Sequence, residues 1–406
     1  MPVIASQAVI VAAARTPIGR AHKGSLADVR PDDLLAGIVD AALARVPELA
    51  ATAIDDLIAG CALPGGEQGF NIARIAALLL GFDHLPGVTV NRFCTSSLQA
   101  IRMAAHAIGC GEADAVIAAG VESQSRLAHG SSDSWPETEN PAFADACART
   151  TARARGDLPG WSDPRRSGTH PDPYIAVGLA AENAADHYGI TRAEMDAYAA
   201  RSQQATQRAL VDGLHEVVPV KTPDGATITR DDCPRTGVTT QSLAALPPRF
   251  RPDGRVTAGN AAPLSDAASA VIVMSAAAAR ERGITPLARI AATAVSTSSP
   301  EIEGPAPVQA TRQVLTRAGM TLADLDVIVG NEPFAAQVLA YCTELGLDPS
   351  RMNTSGGSIA LGEAYGAAGA RLTTTALQTL RHTGGATALV SVVAAGGQGM
   401  AMILER

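Results

Sequence analysis

The chain of 406 residues contains 47% hydrophobic and only 18% charged residues, which is sufficient apolar material for two or three compact units. Its formal net charge of −8 excludes a general nucleic-acid binder, because that function needs a basic surface. No apolar run reaches the roughly 20 residues of a membrane span. The N-terminus has no secretory-signal pattern, and the cysteines form no CxxC pairs. We therefore predict a cytoplasmic protein with reduced thiols.

The first part of the chain alternates apolar strands with amphipathic helices. One strand is predicted from Ala8 up to Pro17, and another is predicted to end at Gly60. Further strands are predicted over 87–91 and 113–119, and helices over 31–46, 71–80 and 95–108. This alternation predicts a layered α/β unit.

The character of the sequence changes after Glu122. Residues 129–173 are polar and rich in Ser, Asp, Pro and Arg, which favours a surface cover over a core element. A long helix is predicted over 192–210, with Thr191 as its N-cap and Glu194 three residues further on. The apolar α/β pattern resumes after Arg255 and continues to the end of the chain.

Two stretches resemble each other in their order of predicted elements. In each, an element ends at a tight turn, a helix follows, and an apolar strand returns and ends in glycine. The first begins at Cys94 and returns through ADAVIAAGVES, and the second begins at Asn353 and returns through ATALVSVVAAGGQG. Two such units that face each other would bring both turns to a shared centre.

Cys94 is the first candidate for chemistry. It lies in VNRFCTSSLQA, between an apolar strand and a helix that the following Thr and Ser residues are suited to start. The free amides and the positive dipole end of a helix N-terminus favour a thiolate, so this sulfur is a candidate nucleophile. A buried structural cysteine is the alternative. The remaining cysteines are interpreted as packing residues: Cys61, Cys110, Cys147, Cys233 and Cys342.

Blocks along the whole chain resemble the thiolase superfamily. VNRFCTSSLQA and AAGVESQSR resemble its nucleophile segment, and VIVAAARTPIGR resembles its opening strand. GRVTAGNAAPLSDAASAVIVMS resembles the return from its loop domain, and NEPFA, NTSGGSIALG and GGQGMA resemble its C-terminal active-site segments. The blocks occur in the family's order, which makes the resemblance more specific than any single motif.

The resemblance implies the thiolase fold, an α/β architecture of two similar five-layered α-β-α-β-α halves with an inserted loop domain. The first half would comprise 1–121 and 255–276, the loop domain that covers coenzyme A 122–254, and the second half 277–406. An acyl-CoA substrate, no permanently bound cofactor, no metal, and a homodimer or homotetramer are also implied. Arginines of the loop domain either meet the phosphates of coenzyme A or are solvated, and none is assigned as a site: Arg149, Arg153, Arg155, Arg165 and Arg166.

Three positions match residues that the family uses in catalysis. Cys94 matches the nucleophile that becomes acylated. Asn331 in NEPFA matches the residue that helps to hold a water and to polarise the thioester carbonyl. Gly397 lies where the family offers a backbone amide to the second oxyanion, beside the amide of Cys94. Glu122 and Glu332 lie in family-like blocks and are predicted to brace the site.

Three other positions depart from the family. The family reads GHP where this chain has Gly362-Glu363-Ala364, so Glu363 replaces the histidine that activates the nucleophile. It reads CxGGGxG where this chain has VAAGGQG, so Val393 replaces the cysteine that moves the proton at the substrate α-carbon. Ala262 replaces a serine that contacts the pantetheine arm.

These substitutions lead to one hypothesis and two alternatives. Acyl transfer needs groups that manage the thiol proton and the α-carbon proton, and Glu363 is the only ionisable residue left at those motif positions. An ionised Glu363 would act as a base and raise the pKa of Cys94, whereas a protonated one would donate to the thioester oxygen. We expect altered acyl transfer or Claisen-type condensation through acyl-Cys94. A non-catalytic acyl-CoA-binding protein and, more weakly, a decarboxylating ketosynthase are the alternatives.

Overall fold

The computed structural model describes residues 7–127, 138–158, 160–214 and 216–406. Its strands are Ala8–Arg15 (β1), Gly19–Arg20 (β2), Asp56–Gly60 (β3), Gly87–Val90 (β4), Ala115–Ser123 (β5), Val220–Lys221 (β6), Thr227–Ile228 (β7), Ser265–Ser275 (β8), Ala288–Thr297 (β9), Val327–Gly330 (β10), Thr387–Ala394 (β11) and Gln398–Glu405 (β12). Its helices are Pro31–Leu43 (α1), Ile72–Leu79 (α2), Ser96–Cys110 (α3), Ala144–Arg155 (α4), Val177–Tyr188 (α5), Arg192–Val211 (α6), Thr240–Ala244 (α7), Ala276–Glu281 (α8), Val308–Ala318 (α9), Ala335–Leu345 (α10), Ser358–Leu361 (α11) and Ala368–Thr383 (α12).

Ten of the strands form one mixed sheet in the order β10-β11-β12-β9-β1-β8-β5-β3-β4, with β2 paired to β8. Each half of this sheet contains a parallel pair next to an antiparallel strand: β3 and β5 beside β8, and β10 and β11 beside β12. The halves join where β1 pairs with β9 through Val9 and Ile10. The predicted repeat is thus present in the strand directions.

The strands β1, β5 and β8 are buried on both faces, which explains their continuous apolar sequences. All residues of β1, β5 and β8 are buried, and these strands pair along most of their lengths. Helices α3 and α12 contact each other, and their apolar residues share one core cluster with the central strands. This packing brings the turns that precede α3 and α12 to the same part of the molecule.

The predicted α/β alternation is confirmed, with shifts at the ends of elements. Helix α1 ends at Leu43, three residues before Val46, and β5 continues to Ser123 because it pairs with β8 over its whole length. Helix α6 has the predicted capping box, in which Thr191 and Glu194 bond each other's backbone amides. In the described part of the chain, no helix combines the length and apolarity that a membrane span requires.

The segment between β5 and β8 carries α4 to α7 and the small β6–β7 hairpin. Of the polar stretch predicted as a surface cover, residues 129–137 and 159 lie outside the described residues, as do residues 1–6 of the predicted first half. Helix α4 in that stretch is mostly exposed or half-buried. The domain bounds at residues 121, 255 and 277 stay a prediction.

Candidate active site

A cavity of about 610 Å³ is lined by residues from both halves of the sheet and from the segment between them. Its wall is largely apolar, with Leu63, Phe93, Val177, Phe250 and Phe334 among its members. Its polar and ionisable side chains are Arg20, Cys94, Arg235, Arg249, Thr257, Glu303, Gln337, Glu363 and Tyr365. An apolar pocket with a few convergent ionisable groups is the usual form of an active site.

Cys94 reaches this cavity through the sharp turn between β4 and α3. Phe93 adopts a left-handed conformation with φ 46°, which is unusual for a bulky residue, and Cys94 follows it two residues before α3 begins. Ser96 fixes the turn: its Oγ donates to the Phe93 carbonyl at 2.5 Å and accepts from the Arg92 amide at 2.9 Å. The turn therefore presents the sulfur to the cavity at the head of a 15-residue helix.

The thiol of Cys94 is held in its neutral form. Burial raises its pKa well above the ordinary value, and the charges of Glu363 and Glu303 add to this effect, while a bond from the amide of Ala395 opposes it. The helix N-terminus was expected to favour a thiolate, and desolvation outweighs it because the side chain is only 9% exposed. A nucleophilic Cys94 therefore needs a base within the cavity.

Glu363 lies on the cavity wall at the end of α11, after Gly362, whose φ of 103° favours glycine. Its Oε1 accepts from Asn331 Nδ2 at 3.0 Å, and its Oε2 lies 4.0 Å from Nη2 of the buried Arg371. Burial raises the pKa of Glu363, and Arg371, Ser358 and Asn331 oppose the shift. A buried carboxyl with a raised pKa on a cavity wall is a candidate acid/base group.

Asn331 positions this carboxyl and is itself fixed by Val393. Its Nδ2 donates both to Glu363 and to the Val393 carbonyl, the latter at 2.9 Å, and its Oδ1 accepts from the Val393 amide at 2.9 Å. Both amide hydrogens are therefore engaged. In this geometry Asn331 orients Glu363, and its remaining oxygen lone pair is its only further capacity for a water.

The two departures at Val393 and Ala262 both lie on the cavity wall. Val393 contributes only methyl groups there, and Ala262 contributes a methyl group while its amide donates to the Pro333 carbonyl at 2.9 Å. Neither side chain can move a proton or bind a polar substrate atom. That these two positions depart from the family stays a prediction of the resemblance.

The glycine turn after β11 points its amides in two directions. Gly396 and Gly397 have φ of 73° and 67°, and the Gly396 amide donates to Glu303 Oε1 at 3.1 Å, while the Gly397 amide also bonds this carboxyl. The amide beside the Cys94 sulfur is that of Ala395, which lines the cavity together with Ala394. The oxyanion role of Gly397 stays a prediction, and Ala395 is a second candidate for it.

Glu303 is a functional candidate that the sequence analysis did not identify. It lies between β9 and α9 in PEIEGPAP, is 2% exposed, and lines the cavity. Besides the turn amides it accepts from Gln337 Nε2 at 3.1 Å. Burial raises its pKa to about 8, against the opposing effect of these donors. The only signal in the sequence was a proline-rich loop that contains two glutamates, Glu301 and Glu303.

Tyr365 also lines the cavity and was not identified from the sequence. Burial raises the pKa of its hydroxyl, and the charges of Cys94 and Glu363 add to the shift, so it remains a proton donor. Three exposed arginines, Arg20, Arg235 and Arg249, complete the wall and give the solvent side of the cavity a positive charge.

The arginines considered in the polar segment have other contacts. Arg149 donates to the carbonyl of His170 at 2.5 Å, and Arg165 forms a salt bridge with Asp163 at 2.7 Å. Neither is among the residues that line the cavity.

Glu122 and Glu332 brace the site, as predicted. Glu122 accepts from the amides of Ala62 and Gly366 at 2.8 and 2.9 Å and so ties β5 to the segment that carries Tyr365. Glu332 accepts from Tyr198, Ser202 and Asn353, each at 2.7 Å. Both are completely buried, and their oxygens are occupied by structural donors.

Comparisons with known proteins agree with this architecture. The family model described as "Thiolase, N-terminal domain" matches residues 8–277, and the one described as "Thiolase, C-terminal domain" matches residues 284–406. A β-ketoadipyl-CoA thiolase of Acinetobacter baylyi is 42% identical over 412 residues, which cover 98% of this chain and 99% of the relative. A 3-oxoadipyl-CoA/3-oxo-5,6-dehydrosuberyl-CoA thiolase of Escherichia coli is 42% identical over 401 residues and 97% of both chains.

A solved structure has the same fold. The crystal structure of the Bacillus anthracis acetyl-CoA acetyltransferase matches with a TM-score of 0.85 and 33% sequence identity, over 99% of both chains. The match therefore includes both halves of the sheet and the segment between them. The chain belongs to the thiolase family, has the mixed α/β thiolase fold, and is an acyl-CoA acyltransferase of thiolase type.

Proposed function

We propose that the protein transfers acyl groups between thioesters of coenzyme A through an acyl thioester on Cys94. In the first half-reaction the sulfur attacks the carbonyl carbon of the donor, and the bond from that carbon to its leaving group breaks. In the second, an acceptor attacks the acyl-Cys94 carbonyl and releases the sulfur. The observation that supports this most directly is that Cys94 and the buried carboxyl of Glu363 line one cavity.

Glu363 is the base for Cys94 in this proposal. Burial raises the pKa values of both groups. The difference in pKa between the thiol and this carboxyl is therefore smaller than it would be for an ordinary carboxyl, which favours transfer of the thiol proton. The proton then resides on Glu363 and returns to the leaving group or to the released sulfur. Asn331 keeps Oε1 in place during this exchange.

The substrate class proposed is a 3-oxoacyl-CoA or a simple acyl-CoA, with coenzyme A as a substrate and not a resident cofactor. The names of the relatives support 3-oxoacyl-CoA chemistry, and two of those names specify acyl groups derived from dicarboxylic acids. The exposed arginines on the cavity wall support an anionic ligand, since the chain as a whole is acidic.

We also propose a cytoplasmic homodimer. Strand β4 ends the sheet with an unpaired edge in the described part of the chain, and apolar side chains are exposed beside it: Phe70 at 92%, Leu78 at 45% and Leu79 at 53%. An open edge next to exposed apolar groups is a surface that a second copy can cover.

The test of the acyl intermediate is intact-mass measurement after incubation with acetyl-CoA, longer acyl-CoAs and acetoacetyl-CoA. We expect one acyl adduct per chain in the wild type and in Cys110→Ser, which removes an exposed thiol, and none in Cys94→Ser. An adduct that persists in Cys94→Ser overturns the assignment of the nucleophile. Thermal stabilisation by these thioesters without any adduct would establish the non-catalytic binding alternative.

A further inference from the structure

The cavity wall carries a second carboxyl, that of Glu303, whose hydrogen-bond partners differ from those of Glu363. Glu363 is held by Asn331 and faces Arg371, whereas Glu303 is held by Gln337 and by amides of the glycine turn that follows Val393. The charges of both carboxyls raise the pKa of the Cys94 thiol, and the effect of Glu363 is the larger of the two. The nucleophile thus has two separate acid/base groups around it.

Glu303 differs from its neighbour Glu301 in where its carboxyl lies. Both residues are buried, but Glu301 does not line the cavity, and its oxygens accept from Trp161 Nε1 at 2.6 Å and from the Asp172 amide at 2.9 Å. Glu303 forms no ion pair among the described residues, and its partners are a neutral side chain and two amides of one turn. Burial of a carboxyl without a cation is unfavourable for the fold.

We propose that Glu303 is the catalytic acid/base that moves the proton at the substrate α-carbon, the step for which this chain has valine at position 393 in place of a cysteine. This inference rests on the acyl-Cys94 chemistry proposed above. It assigns different protons to the two carboxyls: Glu363 serves the thiol, and Glu303 serves the carbon acid.

The proton and electron balance closes in both directions. In condensation, the Glu303 carboxylate removes a proton from Cα of the second acyl-CoA, and the carbanion attacks the acyl-Cys94 carbonyl. The C–S bond breaks, and the proton held by Glu303 passes to the released sulfur. In cleavage of a 3-oxoacyl-CoA, the sulfur attacks the 3-oxo carbon, the Cα–Cβ bond breaks, and its electron pair becomes an enolate on Cα. Protonated Glu303 then donates its proton to Cα and releases acetyl-CoA.

The electrostatics of the cavity suit a group that must work in both directions. Glu303 shares the cavity with Cys94, Glu363 and Tyr365, and Gln337 and the turn amides contact it directly. Its pKa of about 8 leaves both protonation states accessible near neutral pH. An acid/base with a pKa near the working pH transfers protons to and from carbon most effectively.

The decisive experiment separates proton transfer at carbon from acylation of sulfur. The wild type, Glu303→Gln and Glu363→Gln are acylated with acetyl-CoA, and exchange of Cα hydrogens of acetyl-CoA for deuterium in D₂O is followed by mass spectrometry. We expect Glu303→Gln to retain the Cys94 adduct and to lose exchange by on the order of a hundredfold or more. Glu363→Gln should instead slow formation of the adduct.

Glu301→Gln is the matched control, because it alters a buried carboxyl in the same loop that does not line the cavity. Its exchange rate should equal that of the wild type. Wild-type exchange in Glu303→Gln overturns the proposal while leaving acyl-Cys94 intact. Absence of the adduct in the wild type overturns the proposed function, and this inference with it.

A rescue variant guards against a purely structural effect of Glu303→Gln. Val393 lines the cavity, and cysteine is smaller than valine, so Glu303→Gln combined with Val393→Cys should fit and provide a second thiol as proton carrier. We expect exchange to recover by on the order of tenfold or more over Glu303→Gln alone. Parallel loss of exchange and of the Cys94 adduct in Glu303→Gln, with a lowered melting temperature, would show a structural role and overturn the proposal.

Discussion

The side-chain amide of Asn331 donates to Glu363 Oε1 at 3.0 Å and forms two hydrogen bonds with the backbone of Val393. One side chain thereby links Glu363 to Val393, the two positions at which the resemblance predicts replacement of a histidine and of a cysteine. Because both amide hydrogens are used, Asn331 acts on the reaction through the carboxyl it orients. We propose that it is a positioning residue.

Asn331→Ala should shift the pH dependence of Cys94 acylation upwards. The donated hydrogen bond favours the ionised carboxyl, so its loss raises the pKa of Glu363 further and more alkaline conditions are needed to form the base. We expect acylation at neutral pH to slow by on the order of tenfold, with recovery at higher pH. Stopped-flow release of CoA measures this. A uniform reduction at every pH would contradict the positioning role.

The Cys94 thiol should react slowly with iodoacetamide at neutral pH and faster once nearby charge is removed. Because Glu363 contributes more than Glu303 to the raised thiol pKa, Glu363→Gln should lower that pKa more than Glu303→Gln does. The measurement is the pH profile of alkylation at Cys94, read from peptide masses.

Exposed Cys110 is the internal reference for this measurement, since its alkylation should be equal in all variants. Identical Cys94 profiles in the wild type and Glu363→Gln would show that the two groups do not interact, and would remove Glu363 as the base.

The exposed arginines on the cavity wall should determine affinity for the thioester. We expect Arg235→Ala and Arg249→Ala each to raise KM by about two- to fivefold, because exposed charge contacts are weak. Added salt should reduce the difference from the wild type. The value of kcat should be retained. Arg280→Ala, an exposed arginine of α8 away from this wall, is the control, and an equal rise in its KM would refute local recognition.

The edge at β4 should form the dimer interface. Phe70→Asp places a charge on a side chain that is 92% exposed, and we expect it to shift the mass in sedimentation experiments from dimer to monomer. Val211→Asp changes another strongly exposed apolar residue, at the end of α6, and should leave the mass unchanged. A wild type that sediments as a monomer would contradict the proposed assembly.

The layered fold could be predicted because several of its strands are buried on both faces and helix α6 has a local start signal. The apolar run at Ala8 and the capping box at Thr191 needed only local sequence. The ends of elements depended on partners elsewhere in the chain. Strand β5 continues to Ser123 because β8 pairs with it, and no periodicity in the segment itself marks that end.

The candidate site was predictable where a motif position carries the chemistry. One cavity is lined by four of the predicted positions, Cys94, Glu363, Val393 and Ala262. A fifth, Asn331, donates to Glu363. Glu303 was missed because PEIEGPAP contains two glutamates with opposite environments. Burial against Trp161 distinguishes Glu301 from Glu303, and this contact spans 140 residues of sequence. Only the folded chain distinguishes the carboxyl that Trp161 binds from the carboxyl that lines the cavity.

Glu303 should also make stability depend on pH. Burial raises its pKa from the ordinary value of 4.5 to about 8, so between these values the folded state retains a proton that the unfolded chain has released. The contribution of this group to the free energy of unfolding is therefore greatest below about pH 4.5 and decreases as the pH rises to about 8. Glu303→Gln cannot ionise and lacks this decrease.

We therefore expect the melting temperature of Glu303→Gln, relative to the wild type, to rise steadily between about pH 5 and pH 8 and to level off above it. Scanning calorimetry across this range measures the difference. The same comparison with Glu301→Gln controls for loss of a buried carboxyl in this loop, whose carboxyl is bound by Trp161 and Asp172. A difference between Glu303→Gln and the wild type that is independent of pH would show that Glu303 ionises in the folded state as an ordinary carboxyl does, and would remove the basis for its action near neutral pH.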